Sequence, residues 1–394
     1  MTDPAAEFLG RVRRAPRAGA PDPPLGIGAV RRHNLAVVLR EVVDAAPLSR
    51  AAIAGRTGLT RGTVSSLVDE LLADGLLREL DAARGGTGRP ANPLQLNPDG
   101  PGGLGLEIGV DHVAACVVDL TGAVRASAAA ASDHRDAEPG AALRRLAALA
   151  EEVRAAAGLP VTGAGVAVPG LVAPDGALVS APNLPAWTGT DLGSALSPLL
   201  GGLPVATANE ADLAALAERW FGAAPPDVVV VSGGIGVGAG ILLDGRLFRG
   251  PGGRAGELGH VVVEPDGPAC RCGGRGCLEQ VAGQEALLRA SGAVDVADLV
   301  ARGAQPRPAA ALGAAARGLG VALAAAVNLL DVPAVVLGGV FAELGGAWAG
   351  AVAAELSTRI VHRGDVTVQL ADPGTGGALR AAAATVVREV LARP

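Results

Sequence analysis

The first apolar pattern in the chain is helical and begins at Val30. Apolar residues recur there at three- and four-residue steps, which predicts a helix that ends before Pro47. Ser49 then caps a short helix over Arg50–Arg56, and Thr60 caps a third helix. The third helix carries one apolar face, made of Val64, Leu67, Val68, Leu71 and Leu72. The pattern therefore predicts three short helices in a row.

A pair of short strands follows these helices. The strand Leu76–Leu80 and the return strand Leu94–Leu96 flank a polar, Gly-rich loop over residues 81–93. Three helices and a two-stranded wing form a winged helix-turn-helix, which is a DNA-binding unit. The alternative is a generic helical hairpin that packs on the rest of the chain.

Strands and helices alternate beyond residue 104, which predicts an α/β body. The predicted strands are Leu104–Val110, Ala114–Asp119, Gly163–Val168, Val228–Ser232, Ala239–Leu243, Ala334–Leu337 and Val366–Leu370. The predicted helices are Ala141–Ala157, Glu210–Phe221, Ala309–Leu330, Phe341–Leu356 and Gly377–Ala392. Residues 97–103 are rich in turn formers and are predicted to be a linker. The predicted units are a disordered tail (1–28), a winged helix (29–98) and a body (104–394).

Charge divides in the same place as these units. Residues 1–98 carry a net charge of +3 and residues 99–394 a net charge of −9, which gives −6 for the whole chain. A basic head on an acidic body places any nucleic-acid contact in the head. The N-terminus carries no secretory signal, and no run of about 18 apolar residues exists. We therefore expect a cytoplasmic protein without a membrane span.

Three of the four cysteines lie close together, at Cys270, Cys272 and Cys277. Thiolates at this spacing favour a zinc ion, which they bind tetrahedrally, and His260 is expected to supply the fourth ligand. A shell of three cysteines and one histidine leaves no open position, so the predicted zinc is structural. The alternative is a cysteine pair with an idle thiol. Cys116 lies in an apolar run and is predicted to be a buried small hydrophobic residue.

Residues 260–277, which hold the predicted zinc ligands, are called the metal loop. Carboxylates next to this loop in the sequence, and one amide elsewhere, are candidate ligand-binding groups. Glu257 and Glu279 flank the metal ligands in the sequence, and Glu210 follows a polar turn. Together with the amide of Asn183 they offer fixed partners for several hydroxyl groups, as a polyhydroxylated ligand requires. Each acid taken alone would be a solvated surface residue, so the prediction rests on the set.

A Gly-rich segment, residues 232–240, lies between two apolar strands. Repeated glycines let backbone N–H groups approach an anion such as phosphate. The same segment also fits a plain tight hairpin, and the sequence does not separate the two interpretations.

The metal and carboxylate segments resemble a known family. Gly256–His260 and Cys270–Glu279 resemble the zinc and sugar signature of the ROK family (repressors, open reading frames and sugar kinases), and Ala181–Trp187 resembles its sugar-contact loop. Asn209–Asp212 resembles a segment that reads Asn-Asp-Ala-Asn in the kinases, and Val336–Gly339 resembles the turn near their adenosine site. The resemblance covers nearly all of the chain beyond the tail.

The resemblance implies an actin-like, two-lobed sugar kinase fold, preceded by the winged helix of the family's repressor branch. It also implies a sugar site between the two lobes. The residues carried over to that site are Asn183, Asn209, Glu210, Glu257, His260 and Glu279.

Two departures from the kinase pattern disfavour catalysis and predict no catalytic residue. Glu210 stands where the kinases have the Asp that takes the sugar hydroxyl proton, and the extra methylene moves the carboxylate by roughly 1 Å. The first phosphate loop of the kinases reads Asp-x-Gly-Gly-Thr, whereas this chain reads Glu107-Ile-Gly-Val-Asp111. The loop has lost groups that would face the phosphates, which disfavours ATP as a cofactor.

These features favour a sugar-responsive transcriptional regulator that represses genes of carbohydrate metabolism. The expected partners are operator DNA and a sugar or sugar derivative, and a homodimer or tetramer is expected because helix-turn-helix proteins bind paired half-sites. One alternative is an ATP-dependent sugar kinase with an appended DNA-binding domain. Another is a zinc-stabilised interaction protein with an inactive sugar cleft.

DNA contact is predicted for the third helix and the wing. Polar residues off the apolar face of the helix are free to meet base edges or phosphates, and arginines in a Gly-rich wing can enter a minor groove. The alternative for each residue is a solvated surface. The predicted contacts are Thr60, Arg61, Thr63, Ser65 and Ser66 on the helix and Arg84 and Arg89 in the wing.

Overall fold

The computed structural model describes residues 27–81, 92–361 and 366–394. The first described elements are three helices (α1–α3) and two antiparallel strands (β1 and β2). Their bounds are Ile27–Ala45, Arg50–Thr57, Arg61–Ala73, Leu77–Glu79 and Leu94–Leu96. They form the predicted winged helix-turn-helix, which we call the head.

Side-chain caps begin the second and third helices of the head. Ser49 accepts a hydrogen bond from the backbone N–H of Ala52, and Thr60 accepts one from the backbone N–H of Thr63. Each bond satisfies a backbone donor that the first helical turn leaves without a partner. Both caps were predicted from the sequence and are confirmed.

Two five-stranded sheets form the body. The sheet of the N-terminal lobe has the order β5-β4-β3-β6-β9, with the bounds Val124–Ala131, His112–Val118, Gly102–Ile108, Val161–Val168 and Val205–Asn209. The sheet of the C-terminal lobe has the order β12-β11-β10-β13-β14, with the bounds Arg246–Leu247, Val237–Leu243, Val228–Gly233, Ala334–Gly339 and Thr367–Leu370. In both sheets an antiparallel meander is followed by two parallel strands, so the lobes repeat one topology. A small hairpin, β7 (Leu171–Val172) and β8 (Leu178–Ser180), lies beside the first sheet.

Ten helices are described in the body. In chain order, α4 to α13 are Pro139–Ala157, Leu192–Leu196, Glu210–Phe221, Glu279–Ala282, Gln284–Ser291, Val296–Ala301, Pro306–Leu330, Val340–Glu343, Gly345–Ser357 and Gly377–Ala392. Helix α4 packs on the first sheet, and α10 packs on α8 and α12 in the second lobe. Helices α6 and α13 contact each other and lie between the two sheets.

Helix α13 lies directly on the backbone of β3 and β6. A methyl group added at Gly103, Gly105 or Gly165 would lie only 2.2 to 2.3 Å from a carbonyl oxygen of α13. Only residues without a Cβ allow so close an approach of helix and sheet. The glycines therefore fix the distance between this helix and the N-terminal lobe.

The head shares its hydrophobic core with the body. Buried residues of all three head helices pack in one cluster with Val118 of β4 and with Ala383 and Val387 of α13. Cys116, predicted to be a buried hydrophobic residue, lies in the same cluster and is 1% exposed. One face of α13 thus contacts the sheet while another completes the core of the head.

Helix α10, Pro306–Leu330, is the one described helix whose length and composition would allow it to cross a membrane. Of the relevant stretch, 56% is buried inside the protein. Its apolar residues, Leu319 and Leu323 among them, pack in the core of the C-terminal lobe. The apolar composition of α10 is that of a core helix.

The structure differs from the sequence prediction in several elements. Helix α1 begins at Ile27, inside the segment assigned to the tail, because Gly28 gives no helical signal at its start. The predicted helix Phe341–Leu356 is divided into α11 and α12, because Gly345 adopts a positive φ of 82°. The sequence prediction missed strands β5, β7, β8, β9 and β12 and helices α5, α7, α8 and α9, and the predicted body strands differ by one or two residues at one or both ends.

Replacing Gly165 by Ala should lower the free energy of unfolding by about 1–3 kcal/mol. The new methyl would lie 2.2 Å from the carbonyl oxygen of Ala382, so α13 would have to move off the sheet. Gly350→Ala in α12 is the matched control, because nothing lies within 4 Å of its new methyl. It should be neutral or stabilise by up to about 1 kcal/mol. Equilibrium urea unfolding measures both, and equal effects would contradict the packing argument.

Candidate functional site

The four predicted metal ligands meet at one point. The ligand atoms of His260, Cys270, Cys272 and Cys277 all lie within 4.8 Å of one another. Two short bridges, Val262 with Cys277 and Ala269 with Arg275, fold the loop back on itself and bring the ligands together. This is a donor set that fits a metal ion.

The spacing of the sulfurs agrees with tetrahedral coordination. The Sγ atoms of Cys272 and Cys277 are 3.8 Å apart, and Sγ of Cys270 is 3.8 Å from Nδ1 of His260. In a tetrahedral site with metal–sulfur bonds of about 2.3 Å, neighbouring sulfurs lie about 3.8 Å apart. Nε2 of His260 points away from the thiols and lies 3.8 Å from the Glu257 carboxylate. His260 therefore connects the candidate metal site to Glu257, a residue of the predicted sugar site.

A donor and an acceptor from different lobes meet above Gly236. A methyl group at that glycine would lie 2.4 Å from Oε2 of Glu279 and 2.9 Å from Nδ2 of Asn183. Glu279 begins α7, next to the metal loop, and its Oε2 also accepts a hydrogen bond from the backbone of Val237. Asn183 belongs to the loop of the N-terminal lobe that the buried Trp187 anchors. The two groups could bind one hydroxyl between them.

The Gly-rich segment that ends β10 and begins β11 forms a tight hairpin. Gly233 pairs with Val237, and the backbone N–H of Gly234 donates to the carbonyl oxygen of Gly236. The hairpin tip places Gly236 beside Glu279 and Asn183, two residues of the predicted sugar site. A phosphate-binding role for this segment stays a prediction.

Asn209 and Glu210 lie where β9 passes into α6. The side chain of Asn209 accepts hydrogen bonds from the backbone of Ala211 and Asp212 and donates one to the carbonyl oxygen of Gly170. It thereby caps the helix and fixes the turn. Glu210 is the first helical residue and faces the cleft between the lobes. A direct contact of Asn209 with sugar stays a prediction.

Glu210 stands in an acidic neighbourhood. Burial first, and then the carboxylates of Glu107 and Asp111, raise its pKa to about 7, while the nearby His112 acts in the opposite direction. Glu107 and Asp111 bound the segment that departs from the kinase pattern. That segment therefore surrounds Glu210 with negative charge.

His112 is a charged residue beside Glu107 and Asp111 that the sequence reasoning missed. Its Nδ1 lies 2.9 Å from Oδ1 of Asp111, and its Nε2 lies 3.6 Å from Oε1 of Glu107. The hydrogen bond to Glu107 is the main cause that raises the pKa of His112 to about 9, so the ring is positively charged at neutral pH. The ring also lies on the backbone of Gly109, where an added methyl would be 2.3 Å away. The only sequence signal was its position directly after Asp111.

A buried ion pair joins the lobes at the back of the site. Nε of Arg249 lies 2.8 Å from Oδ2 of Asp212, and its Nη2 donates to the carbonyl oxygen of Val172 in β7. Burial raises the pKa of Asp212 to about 6, against the lowering effect of Arg249. Asp212 also feels the charge of Glu257, whose pKa is raised by burial and by Glu279. No sequence pattern pointed to Arg249, because it lies in a loop far from Asp212 along the chain.

A cavity of about 510 Å³ opens between the lobes beside Glu210. The Gly338–Gly339 turn, predicted to lie near an adenosine site, forms one wall, and Gly376–Ala378 at the start of α13 form another. Its acidic lining residues are Glu107, Glu210, Glu218, Glu343 and Asp372, and no arginine is among the described lining residues. Among the described residues, the cavity is therefore lined by carboxyl groups without an arginine to offset them.

The predicted DNA-contacting side chains on α3 differ in their exposure and in their hydrogen bonds within the head. Arg61 and Ser66 are exposed, and Arg61 makes no ion pair with the described residues. The hydroxyl of Thr60 caps the helix and lies 2.9 Å from the hydroxyl of Thr63. The hydroxyl of Ser66 accepts a hydrogen bond from Arg31 of α1, so Arg61 is the predicted contact with most freedom to meet a partner.

Arg50 of α2 connects this helix to α3 and to strand β1. It donates to Ser65 on α3 and forms ion pairs with Asp69 on α3 and Glu79 on β1. Ser65 is therefore engaged inside the head. Arg84 and Arg89 fall outside the described residues.

Comparison with known proteins agrees with this division of the chain. The pattern of the ROK family matches residues 103–388, and a winged helix-turn-helix DNA-binding pattern matches residues 37–78. A xylose repressor of Caldicellulosiruptor bescii is 35% identical over 266 residues, 66% of this chain and 66% of the repressor. The transcriptional dual regulator NagC of Escherichia coli K12 is 30% identical over 268 residues, 66% of this chain and 65% of NagC. The matches thus span about two thirds of the length of these relatives.

A solved structure covers the head as well as the body. It is a ROK family transcriptional regulator, described as a homolog of the E. coli MLC protein, with a TM-score of 0.76 and 26% identity. The superposition covers 92% of this chain and 97% of that chain. The similarity therefore includes the arrangement of a winged head on a two-lobed body.

Glu210→Gln should stabilise the ligand-free protein at pH 8 and have little effect near pH 5. The raised pKa means that ionising Glu210 costs folding free energy above its ordinary pKa of 4.5, and the full cost applies above about 7. The neutral amide removes that cost, which is of the order of 1–3 kcal/mol. Urea unfolding at the two pH values measures the difference. The exposed Glu152→Gln on α4 is the control, and a gain that is equal at both pH values would contradict the prediction.

Proposed function

This chain belongs to the ROK family, and we propose that it is a sugar-responsive, DNA-binding transcriptional regulator that represses genes of carbohydrate metabolism. The winged head and a cleft that offers paired donors and acceptors occur on one chain, and similar proteins are named as repressors. In this proposal residues 29–98 bind operator DNA and residues 104–394 bind the sugar.

The observation that carries the proposal is the position of α13. Its first residues, Gly377 and Ala378, line the cavity between the lobes. About one and a half to three turns further on, Ala383 and Val387 are buried in the core of the head. Of the proposed sugar-binding residues, Glu210 lines the same cavity. A ligand at Glu210 that displaces α13 would therefore displace the head as well, which gives one ligand a mechanical effect on DNA binding.

The connection between head and body supports the same coupling. The side chain of Asn97 donates to the carbonyl oxygen of Gly75, and Arg125 of β5 donates to the carbonyl oxygen of Pro98. A methyl at Gly100 would lie 2.3 Å from the same Gly75 oxygen. The predicted linker is therefore a tight, bonded turn that transmits displacement.

In the proposed sugar site each residue has a distinct role. Asn183 and Glu279 bind one hydroxyl above Gly236, and Glu257 accepts a second hydrogen bond beside His260. Glu210 binds a hydroxyl from the opposite side of the cleft, and Asn209 fixes the turn that carries it. This arrangement satisfies hydroxyl groups with fixed polar partners, as recognition of a small polar ligand requires.

The kinase alternative is less favoured by the charge of the cavity. A nucleoside triphosphate would place its phosphates among carboxylates, and Glu107 is paired with the His112 imidazole. Phosphoryl transfer needs positive groups or metal ions around the transferred phosphate. We therefore propose no catalytic role for Glu210 and no ATP requirement.

The metal in this proposal is one structural zinc per chain, held by His260, Cys270, Cys272 and Cys277. Three thiolates and one imidazole suit zinc, and four protein ligands leave no position for catalysis. The zinc would fix the loop that carries Glu257 and precedes Glu279. We further propose a cytoplasmic homodimer or tetramer, because paired half-sites on DNA require two heads.

Arg61→Ala should weaken binding to operator DNA and reduce the salt slope of the affinity by about one. The operator is first selected from a random DNA pool, and fluorescence anisotropy then gives the affinity at several salt concentrations. Arg144→Ala, which removes an exposed arginine from α4 in the body, is the control and should change neither value. Unchanged affinity and slope in the Arg61 variant would place the DNA interface elsewhere.

Glu257→Gln should abolish the sugar response while leaving sugar-free DNA binding intact, because Glu257 lies at the cleft and not in the head. For the unaltered protein we expect D-xylose, D-glucose or N-acetyl-D-glucosamine to change operator affinity by about 5- to 150-fold. The same anisotropy assay with each sugar measures both. A variant that no longer binds DNA without sugar would contradict the proposed division of roles.

Cys272→Ser should remove the zinc, lower the melting temperature and weaken sugar binding. Ordering the freed loop would draw on the binding energy of the sugar. Atomic emission gives the zinc content and calorimetry the sugar affinity. Cys116→Ala is the control, because Cys116 lies in the head–body core and should leave the zinc in place. Full sugar affinity in a zinc-free preparation would contradict the role of the metal.

A further inference from the structure

Arg271 extends from the metal loop across the cleft to the N-terminal lobe. It stands between the metal ligands Cys270 and Cys272, and its Nη1 donates to Oδ1 of Asn183 at 2.9 Å. Its Nη2 lies 3.4 Å from Oε2 of Glu285. The other oxygen of Glu285 lies 3.3 Å from Nε of Arg135 in the N-terminal lobe. The guanidinium is therefore held in place by groups from both lobes.

This contact determines which end of the Asn183 amide faces the cleft. A guanidinium carries only hydrogen-bond donors, so the amide must turn its oxygen toward Arg271. The amide nitrogen then points to the space above Gly236, where Oε2 of Glu279 also points. The cleft thus presents one donor and one acceptor to the same ligand group.

We propose that Arg271 is a positioning residue that makes this subsite selective for a hydroxyl group. A hydroxyl accepts from Asn183 and donates to Glu279 at the same time. An ammonium group has no acceptor for Asn183, and a deoxy position offers no partner to the Asn183 N–H or to the remaining lone pair of Glu279 Oε2. The proposal rests on the proposed sugar-binding function and adds the residue that sets the selectivity of its cleft.

A purely structural role for Arg271 predicts something different. The side chains of Arg271 and Glu285 are 46% and 38% exposed, and ion pairs this exposed contribute little to stability. Removing Arg271 should therefore leave the fold intact and release only the orientation of Asn183. Arg275 is a matched comparison, because it lies in the same loop but donates only to Gly267 within that loop.

The test compares Arg271→Ala, Arg271→Lys and Arg275→Ala with the unaltered protein. Calorimetry with D-xylose, D-glucose and N-acetyl-D-glucosamine identifies a sugar that binds, and its monodeoxy and monoamino analogues are then measured. At the ring position where removal of the hydroxyl weakens binding, the unaltered protein should prefer the hydroxyl over the ammonium about ten-fold or more. Arg271→Ala should bring that ratio close to one with unchanged zinc content, whereas Arg271→Lys, which also offers only donors, and Arg275→Ala should keep it. An unchanged ratio in Arg271→Ala would overturn the proposal.

A second measurement needs no sugar and separates this proposal from the proposed function. Melting temperatures of the single and double variants at Arg271 and Asn183 should be non-additive, because each change removes the same contact. The corresponding pair at Arg275 and Asn183 should be additive. Additive shifts in both pairs would overturn the proposal, whereas a protein that binds none of the sugars but shows non-additivity would overturn only the sugar-binding function.

Discussion

The contact between the C-terminal helix and the backbone of the N-terminal sheet is the constraint on which the rest of the molecule depends. Gly103, Gly105 and Gly165 let α13 approach β3 and β6 until its carbonyl oxygens occupy the space of the missing side chains. A helix held at this distance moves together with the N-terminal sheet and not across it. Its N-terminus at the cavity edge and its far face in the core of the head are therefore displaced together.

The cleft between the lobes contains several buried carboxyl groups, which an interface with a structural role alone does not need. Glu210, Asp212 and Glu257 all have raised pKa values because burial disfavours their charged forms. Only some of this charge is offset, by Arg249 and by the charged imidazole of His112. Groups that cost stability in the free protein and face a cleft are typical of a binding site.

The candidate metal ligands lie in a loop with little regular secondary structure. A bound ion would fix the loop by four ligands, and Gly276 turns there at a positive φ with no room for a side chain. The loop holds Arg271 toward Asn183 and places Glu279 at the start of α7. One short segment therefore contributes both to the candidate metal site and to the proposed sugar site.

The sequence by itself determined the features that depend on near neighbours. The head helices followed from apolar periodicity and from the caps Ser49 and Thr60, and the metal ligands followed from the spacing of three thiols. Only the tertiary structure decided the Ala-rich strand Val124–Ala131, which pairs with β4 as an edge strand although its residues have low strand propensity. It also decided the roles of His112, Arg249 and Arg271, because each depends on a partner from another part of the fold. Periodicity and spacing describe interactions along the chain, whereas ion pairs and shared hydrogen bonds across a cleft arise only when distant segments pack together.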